Sequence, residues 1–361
     1  MDIAEAASIA DFVMELNRDR SAAYMAAESR EARKEYEEKH STLVLVFQCM
    51  DGRVDLSQIT GVPPSSLMSF KNIGGVFDLG WGLLGRIVID RMNSAISHNR
   101  KVLILATYHY AKGHSGRGCA GHNHDTDAAY RAACRVRIQC AHLFPGDDVY
   151  AVTAGIETDG DELQLHSCND DVRLDVGALA NSSETDIAHK LKDLYPDMGP
   201  ALRRDLLPLV LGNRQHMQSM QGRVREDGAL VHRESIVAVG TGYDWLQMPN
   251  KAIIIGPYAV RWQMAVVIAG RIALKNLQEG RIPADKGVLL MISAPFRIVG
   301  VAGVERRFAE ERTRVLVEES LDILQKQLPE LTPYLSVLTT VLDRETWLLR
   351  ELNRIPALAI D

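Results

Sequence analysis

The chain has 361 residues, 46% of them hydrophobic and 24% charged, with a formal net charge of −6. That length is ample for two cores, the acidic balance argues against nucleic acid or an anionic membrane surface as partner, and no apolar run is long enough to span a bilayer. The five cysteines, Cys49, Cys119, Cys134, Cys140 and Cys168, are an odd number. With no basic and then apolar leader pattern at the start, they read as thiols in a cytoplasmic protein rather than a disulfide framework.

Residues 1–40 are rich in Ala, Glu, Arg and Met and read as an N-terminal arm of one or two amphipathic helices. Next come the strand "TLVLVFQC", a loop with "GVPPSS", a short strand "LMSFKN" and the turn "IGGVFDLGWG". A helix is expected from Leu79 to about His98, then a buried strand "KVLILAT", a Gly- and His-rich loop, and a helix from Thr126 to Ala141. "DDVYAVTAGIET" and "ELQLHS" read as two strands joined across "DGDE". Strands alternating with helices predict an α/β domain over 41–180, with a mostly parallel β-sheet flanked by helices.

Residues 181–230 read as a connector, and 231–361 as a second α/β domain. Its expected elements are the strands "SIVAVGTG" and "KAIIIGPY", a helix from Val260 to Leu277, the strand "GVLLMISA", and helices from Val304 to the end. The two halves look alike in order, so a duplicated, pseudo-twofold pair is expected. "LVLVFQCMD" (43–51) aligns with "IVAVGTGYD" (236–244), and "KVLILATYHY" (101–110) with "GVLLMISAPF" (287–296). Gly242 then stands for Cys49 and Pro295 for His109, so the second copy keeps the sheet and loses the polar residues.

Those polar residues are where chemistry is expected. Cys49, Asp51 and Arg53 alternate at the end of the first strand, and residues two apart in extended chain point the same way. The carboxyl end of a parallel strand is where α/β sheets place ligands. Taken singly, the three would be a buried thiol and a surface ion pair. The loop "YHYAKGHSGRGCAGHNHD" (108–125) adds His109, His114, His122, His124 and Cys119. Thiolate and imidazole are donors that zinc prefers, and the loop glycines let the chain bend around an ion.

"CMDGR" resembles the C-x-D-x-R motif of β-class carbonic anhydrases. "KNIGG" (71–75) is similar to that family's asparagine–glycine turn, and "VLILATYH" followed by "GCAGH" resembles its second ligand pair. The carboxysome-shell type is the nearest in pattern, with two fused halves of which the second is metal-free, and "AGIETDGDELQLH" (154–166) resembles a stretch of it. The resemblance implies Zn2+ held by Cys49, His109 and Cys119, with Asp51 orienting the reacting hydroxide and Arg53 holding Asp51. It implies reversible hydration of carbon dioxide to bicarbonate by a homo-oligomer, with carboxysome association as an open possibility. Nine residues separate His109 from Cys119 where most of the family has two, so His114 competes for the ligand position. Gly74 and Gly75 are expected to allow close backbone approach, Val76 and Phe77 to form an apolar wall, and His122 and His124 to relay protons. Two rival readings remain: a carbonyl sulfide or carbon disulfide hydrolase on the same fold, and a non-catalytic zinc-binding assembly protein.

Overall fold

The computed structural model describes residues 3–113, 115–169, 171–220, 231–246, 250–297 and 303–357. The chain divides into two compact units. The first comprises Glu31–Met50 and Val54–Val231; the second comprises Met1–Arg30, Asp51–Arg53 and His232–Asp361. Each is α/β, with a mostly parallel sheet flanked by helices.

In the first unit, β1 (Leu43–Cys49) lies between β2 (Leu67–Asn72) and β3 (Val102–Tyr110), and all three run parallel. β4 (Val149–Glu157) extends the sheet in parallel, and β5 (Glu162–His166) and β6 (Arg173–Asp175) close it as antiparallel strands. The order is β2-β1-β3-β4-β5-β6. Every residue of β3 is buried, as expected of a central parallel strand covered on both faces.

The helices start where short polar side chains meet backbone amides. Ahead of the short α3 (Leu56–Thr60), the Asp55 carboxylate accepts from the amides of Ser57 and Gln58. Asp125 does the same from Ala128 for α5 (Thr126–Leu143), which follows α4 (Gly82–Ser97). Ser183 and Asp186 form a reciprocal box at the start of α6 (Glu184–Leu194). The stretch 181–220, expected as a connector, belongs to the core of this unit. Ile187 and Leu191 of α6, and Leu202, Leu206, Leu209 and Val210 of α7 (Pro200–Met220), pack with Val44, Val46, Leu103 and Leu105 of the sheet. The helical periodicity of their apolar residues is what buries them.

The second unit contains α1 (Ile9–Met25), followed in sequence by α2 (Ala27–Lys39), and a five-stranded sheet. Its strands are β7 (Ile236–Gly240), β8 (Ala252–Ile255), β9 (Val288–Phe296), β10 (Leu335–Asp343) and β11 (Leu349–Ile355), in the order β11-β10-β9-β7-β8. Among the described strands of this sheet, only β10 and β11 pair antiparallel. Two helices, α8 (Trp262–Gln278) and α9 (Val304–Gln327), belong to it. Helices were expected from Val304 to the end, whereas β10 and β11 occupy the last stretch. Pro329 and Pro333 stop the helix, and "LSVLTTVLD" is rich in β-branched residues that fit a pleated surface better than a helix.

The N-terminal arm is tied to this second sheet. Asn17 is fully buried; its side-chain amide donates to the Trp347 carbonyl at 2.8 Å and accepts from the Leu349 amide at 2.7 Å. Tyr24 stacks on Trp347 with ring centroids 4.1 Å apart, and Ile9, Phe12 and Val13 share a core with Ile236, Leu289 and Leu338. Asn17→Ala strips partners from two buried backbone groups and is expected to cost about 2 kcal/mol or more. Urea unfolding checks this: an unchanged midpoint and slope would show that the arm is not held by Asn17.

Candidate metal centre and the Asp51–Arg53 fork

Cys49 is the last residue of β1 and His109 the last but one of β3, so neighbouring parallel strands deliver both at their carboxyl ends. Cys119 arrives from the loop that follows β3. All three are buried, and their ligand atoms lie within 4.8 Å of one another. The two sulfurs are 3.8 Å apart, far beyond a disulfide bond. Two thiols and an imidazole converging at that range can hold a metal ion. His114, the rival for the imidazole position, lies outside the described residues.

The surrounding backbone is compressed to bring these groups together. Gly74 and Gly75 both adopt positive φ, +62° and +63°, after β2. A Cβ on Gly75 would stand 3.1 Å from the Thr107 carbonyl oxygen and 3.6 Å from the Cys49 nitrogen, so the expected close approach is present. A Cβ on Gly121 would meet the Gly74 nitrogen at 2.7 Å. The His122 ring donates from Nε2 to the Gly74 carbonyl at 2.8 Å, and His124 donates from Nδ1 to the Gly118 carbonyl at 3.0 Å. Both histidines thus brace the Cys119 loop. Phe77 sits in the core against Phe47, while Val76 is exposed.

β3 is fixed beside His109 by a buried polar group. The Tyr108 hydroxyl donates to Gln164 Oε1 and accepts from His166 Nε2, both at 2.9 Å. Burial pushes the Tyr108 phenol well above its ordinary pKa, so it stays protonated and keeps both bonds.

Asp51 and Arg53 form a fork. Asp51 Oδ1 accepts from the Arg53 amide at 2.9 Å and from Nε at 3.0 Å, while Oδ2 accepts from Nη2 at 2.7 Å. Their side chains are only 4% and 6% exposed. This bidentate geometry is the strong form of a carboxylate–guanidinium pair. The tripeptide is built into the second unit: the Asn250 amide donates to the Gly52 carbonyl at 2.8 Å. A Cβ on Gly52 would stand 2.7 Å from the Ala252 carbonyl oxygen and 2.9 Å from Glu234 Cγ, so only glycine fits.

The sequence did not point to His232 and Glu234. His232 Nδ1 donates to both Glu234 oxygens, at 2.9 and 3.0 Å, and its Nε2 lies 3.4 Å from Arg53 Nη2 and 3.8 Å from Asp51 Oδ2. Burial lowers the imidazole pKa, but the Asp51 and Glu234 carboxylates outweigh it and raise the net value above that of an ordinary histidine. Asp51, His232 and Glu234 also converge closely enough to hold an ion. The Arg53 guanidinium occupies that side of Asp51, and its charge opposes a second cation. The one signal in the sequence was the alternation His232, Glu234 just before an apolar strand.

Compared with known proteins, the chain matches no described family and no curated protein. A solved structure titled "Crystal structure of VinN" aligns over 96% of this chain and 77% of that one, at 10% identity and a TM-score of 0.19. A score that low carries no argument about fold or function. No helix among the described residues is long and apolar enough to cross a membrane.

The purified chain is expected to carry one transition-metal ion. Cys49→Ser and His109→Ala should each abolish it by elemental analysis, because two remaining donors hold a metal poorly. Full occupancy in either variant would remove that residue from the ligand set.

Proposed function

We propose that the chain is a zinc-dependent enzyme that reversibly hydrates carbon dioxide to bicarbonate. The observation that carries this reading is the convergence of Cys49, His109 and Cys119, with a forked carboxylate two residues further along the chain from Cys49. The donor set suits zinc in kind and in spacing. Tetrahedral zinc with Zn–S bonds of about 2.3 Å separates two thiolates by about 3.8 Å, and the sulfurs here are 3.8 Å apart. Three protein donors converge among the described residues, whereas a purely structural zinc is closed by four.

When bound, zinc supplies an acidified water and polarises oxygen at its open position. The chain's own residues do the rest. Asp51 follows Cys49 by two residues, so covalent geometry alone keeps their Cα atoms within about 7 Å. Its carboxylate accepts a hydrogen bond from the reacting water and turns a lone pair toward carbon dioxide. Arg53 supplies no donor atom to the metal; its fork fixes both oxygens of Asp51 and keeps the carboxylate from swinging. Burial of the triad keeps competing solvent away from the ligands.

The strand orders support a duplicated pair. Read from the second strand of each sheet, β2-β1-β3-β4-β5 and β8-β7-β9-β10-β11 run in the same sequence, with the last pair antiparallel in both. Registers differ by one: Leu43 pairs with Val102, whereas Ile236 pairs with Leu289 rather than Val288.

Arg53→Ala is expected to retain zinc and lower kcat by roughly a hundredfold, the upper range for a residue that supports a site from behind. Arg53→Lys should not restore it, because a point charge cannot reproduce the fork. Stopped-flow hydration with parallel zinc analysis tests this. A wild-type rate in Arg53→Ala would leave the fork without the proposed role, whereas a zinc-loaded wild-type protein with no hydration rate at all would favour an assembly protein.

A further inference from the structure

The Asp51–Arg53 pair is held on one side by a second pair that the proposed mechanism leaves unused. Glu234 is fully buried, and its side chain faces His232 Nδ1 with both oxygens. A carboxylate in that position makes Nδ1 the protonated nitrogen, as carboxylates do for oriented histidines elsewhere. In the neutral ring, Nε2 then presents a lone pair. The donor nearest to it is Arg53 Nη2 at 3.4 Å, the same nitrogen that donates to Asp51 Oδ2 at 2.7 Å. We propose that Glu234 and His232 are positioning residues: Glu234 fixes the tautomer of His232, and His232 holds Arg53 so that its fork presents Asp51 in one orientation. This rests on the carbon dioxide reading for its effect on rate, though not for its geometry.

The backbone supports the same placement. Gly52 lies against Glu234 with no room for a Cβ. The Glu234 carbonyl accepts from the buried Asn276 side chain at 3.1 Å, and Asn250, which donates to Gly52, also accepts from the Arg233 amide at 3.2 Å. Residues 232–234 are therefore tied by Asn276 and by Asn250, the residue that also clasps the tripeptide. The chain of contacts runs Glu234, His232, Arg53, Asp51, and each link is a hydrogen bond.

The charge states make this chain visible to titration. The charged groups that face the His232 ring are Glu234, Asp51 and Arg53. When the ring is neutral, Nε2 accepts from Arg53. When it is protonated, Nε2–H faces the guanidinium with like charge and is drawn to Asp51 Oδ2 at 3.8 Å, in competition with the fork. The fork is thus best held above the imidazole pKa, and turnover should rise as pH increases through it. Because that pKa is raised, the inflection belongs above the ordinary histidine range.

The test uses full-length, zinc-loaded protein. Nitrogen-15 histidine labelling gives the His232 tautomer, its signals assigned by their loss in His232→Gln. The expected neutral ring carries its proton on Nδ1, and Glu234→Gln is expected to mix the two tautomers. In stopped-flow hydration, Glu234→Gln should keep its zinc, lose roughly tenfold or more in kcat with KM little changed, and shift or lose the inflection. Glu234→Asp should recover part of both. A neutral ring protonated on Nε2 would overturn the proposal, since it could not accept from Arg53. So would a Glu234→Gln variant with the wild-type tautomer and pH profile, or one that loses zinc in step with activity. If the wild-type protein does not hydrate carbon dioxide, the functional reading fails, and the tautomer alone then decides the positioning chain.

Discussion

A carboxylate and a guanidinium, each almost wholly out of water, set the terms for the residues around them. Withdrawing such charges from solvent costs several kcal/mol per ion, and the cost is offset only where the pair is closely matched and its remaining polar atoms are bonded. Asp51 and Arg53 meet that demand with three mutual hydrogen bonds. Their neighbours follow from the same constraint. Gly52 has no side chain because the backbone of Ala252 and the side chain of Glu234 pass where one would stand. Asn250 caps the Gly52 carbonyl, and His232 is brought to the guanidinium by Glu234. Replacing one partner of such a pair leaves the other as an uncompensated buried charge, which is why single substitutions here should act on function and stability together.

Much of this was legible in the chain. β1 and β3 are largely apolar runs with a thiol or an imidazole at or next to their carboxyl ends, so the strand ends and two of the three candidate donors could be placed from sequence. Cys119 could be placed because it stands in a loop rich in histidine after β3 and because "GCAGH" resembles a family's second ligand pair. The roles of His122 and His124 could not be read, because a ring that bonds a backbone carbonyl looks the same in sequence as one that faces solvent. β10 and β11 were hidden for different reasons: β10 follows a long helix after only a short proline-marked break, and the charged, mostly exposed residues of β11 carry no clean alternation. His232 and Glu234 lie some 180 positions from Asp51 in sequence. No local pattern encodes a contact made by the folding of a whole second sheet.

The second sheet, with the same strand order, fills the corresponding strand ends differently. By sequence alignment, Gly242 and Pro295 stand where Cys49 and His109 stand in the first. They are again close neighbours: a Cβ on Gly242 would lie 3.2 Å from the Pro295 Cβ and 3.0 Å from a Leu342 methyl. The space that in the first unit gathers two thiols and an imidazole is filled here by proline and leucine. Gly242 adopts φ +86°, so a cysteine at that position would meet both steric contact and backbone strain. Building a metal site there would need more than the introduction of donor side chains.

The amino end of β7 carries the polar chemistry instead. His232, Glu234 and the fully buried Asn276 cluster just before Ile236, with Gly52 and Arg53 packed among them. A metal site needs deprotonated donors aimed at one point, whereas a carboxylate fork needs donors and acceptors arranged around two fixed oxygens. One sheet supplies the first kind of arrangement at its carboxyl end. The other has that end closed by apolar packing and supplies the second kind at the opposite end of its first strand. Two sheets with the same strand order thus place their buried polar groups at opposite ends, one around a point and the other around a carboxylate.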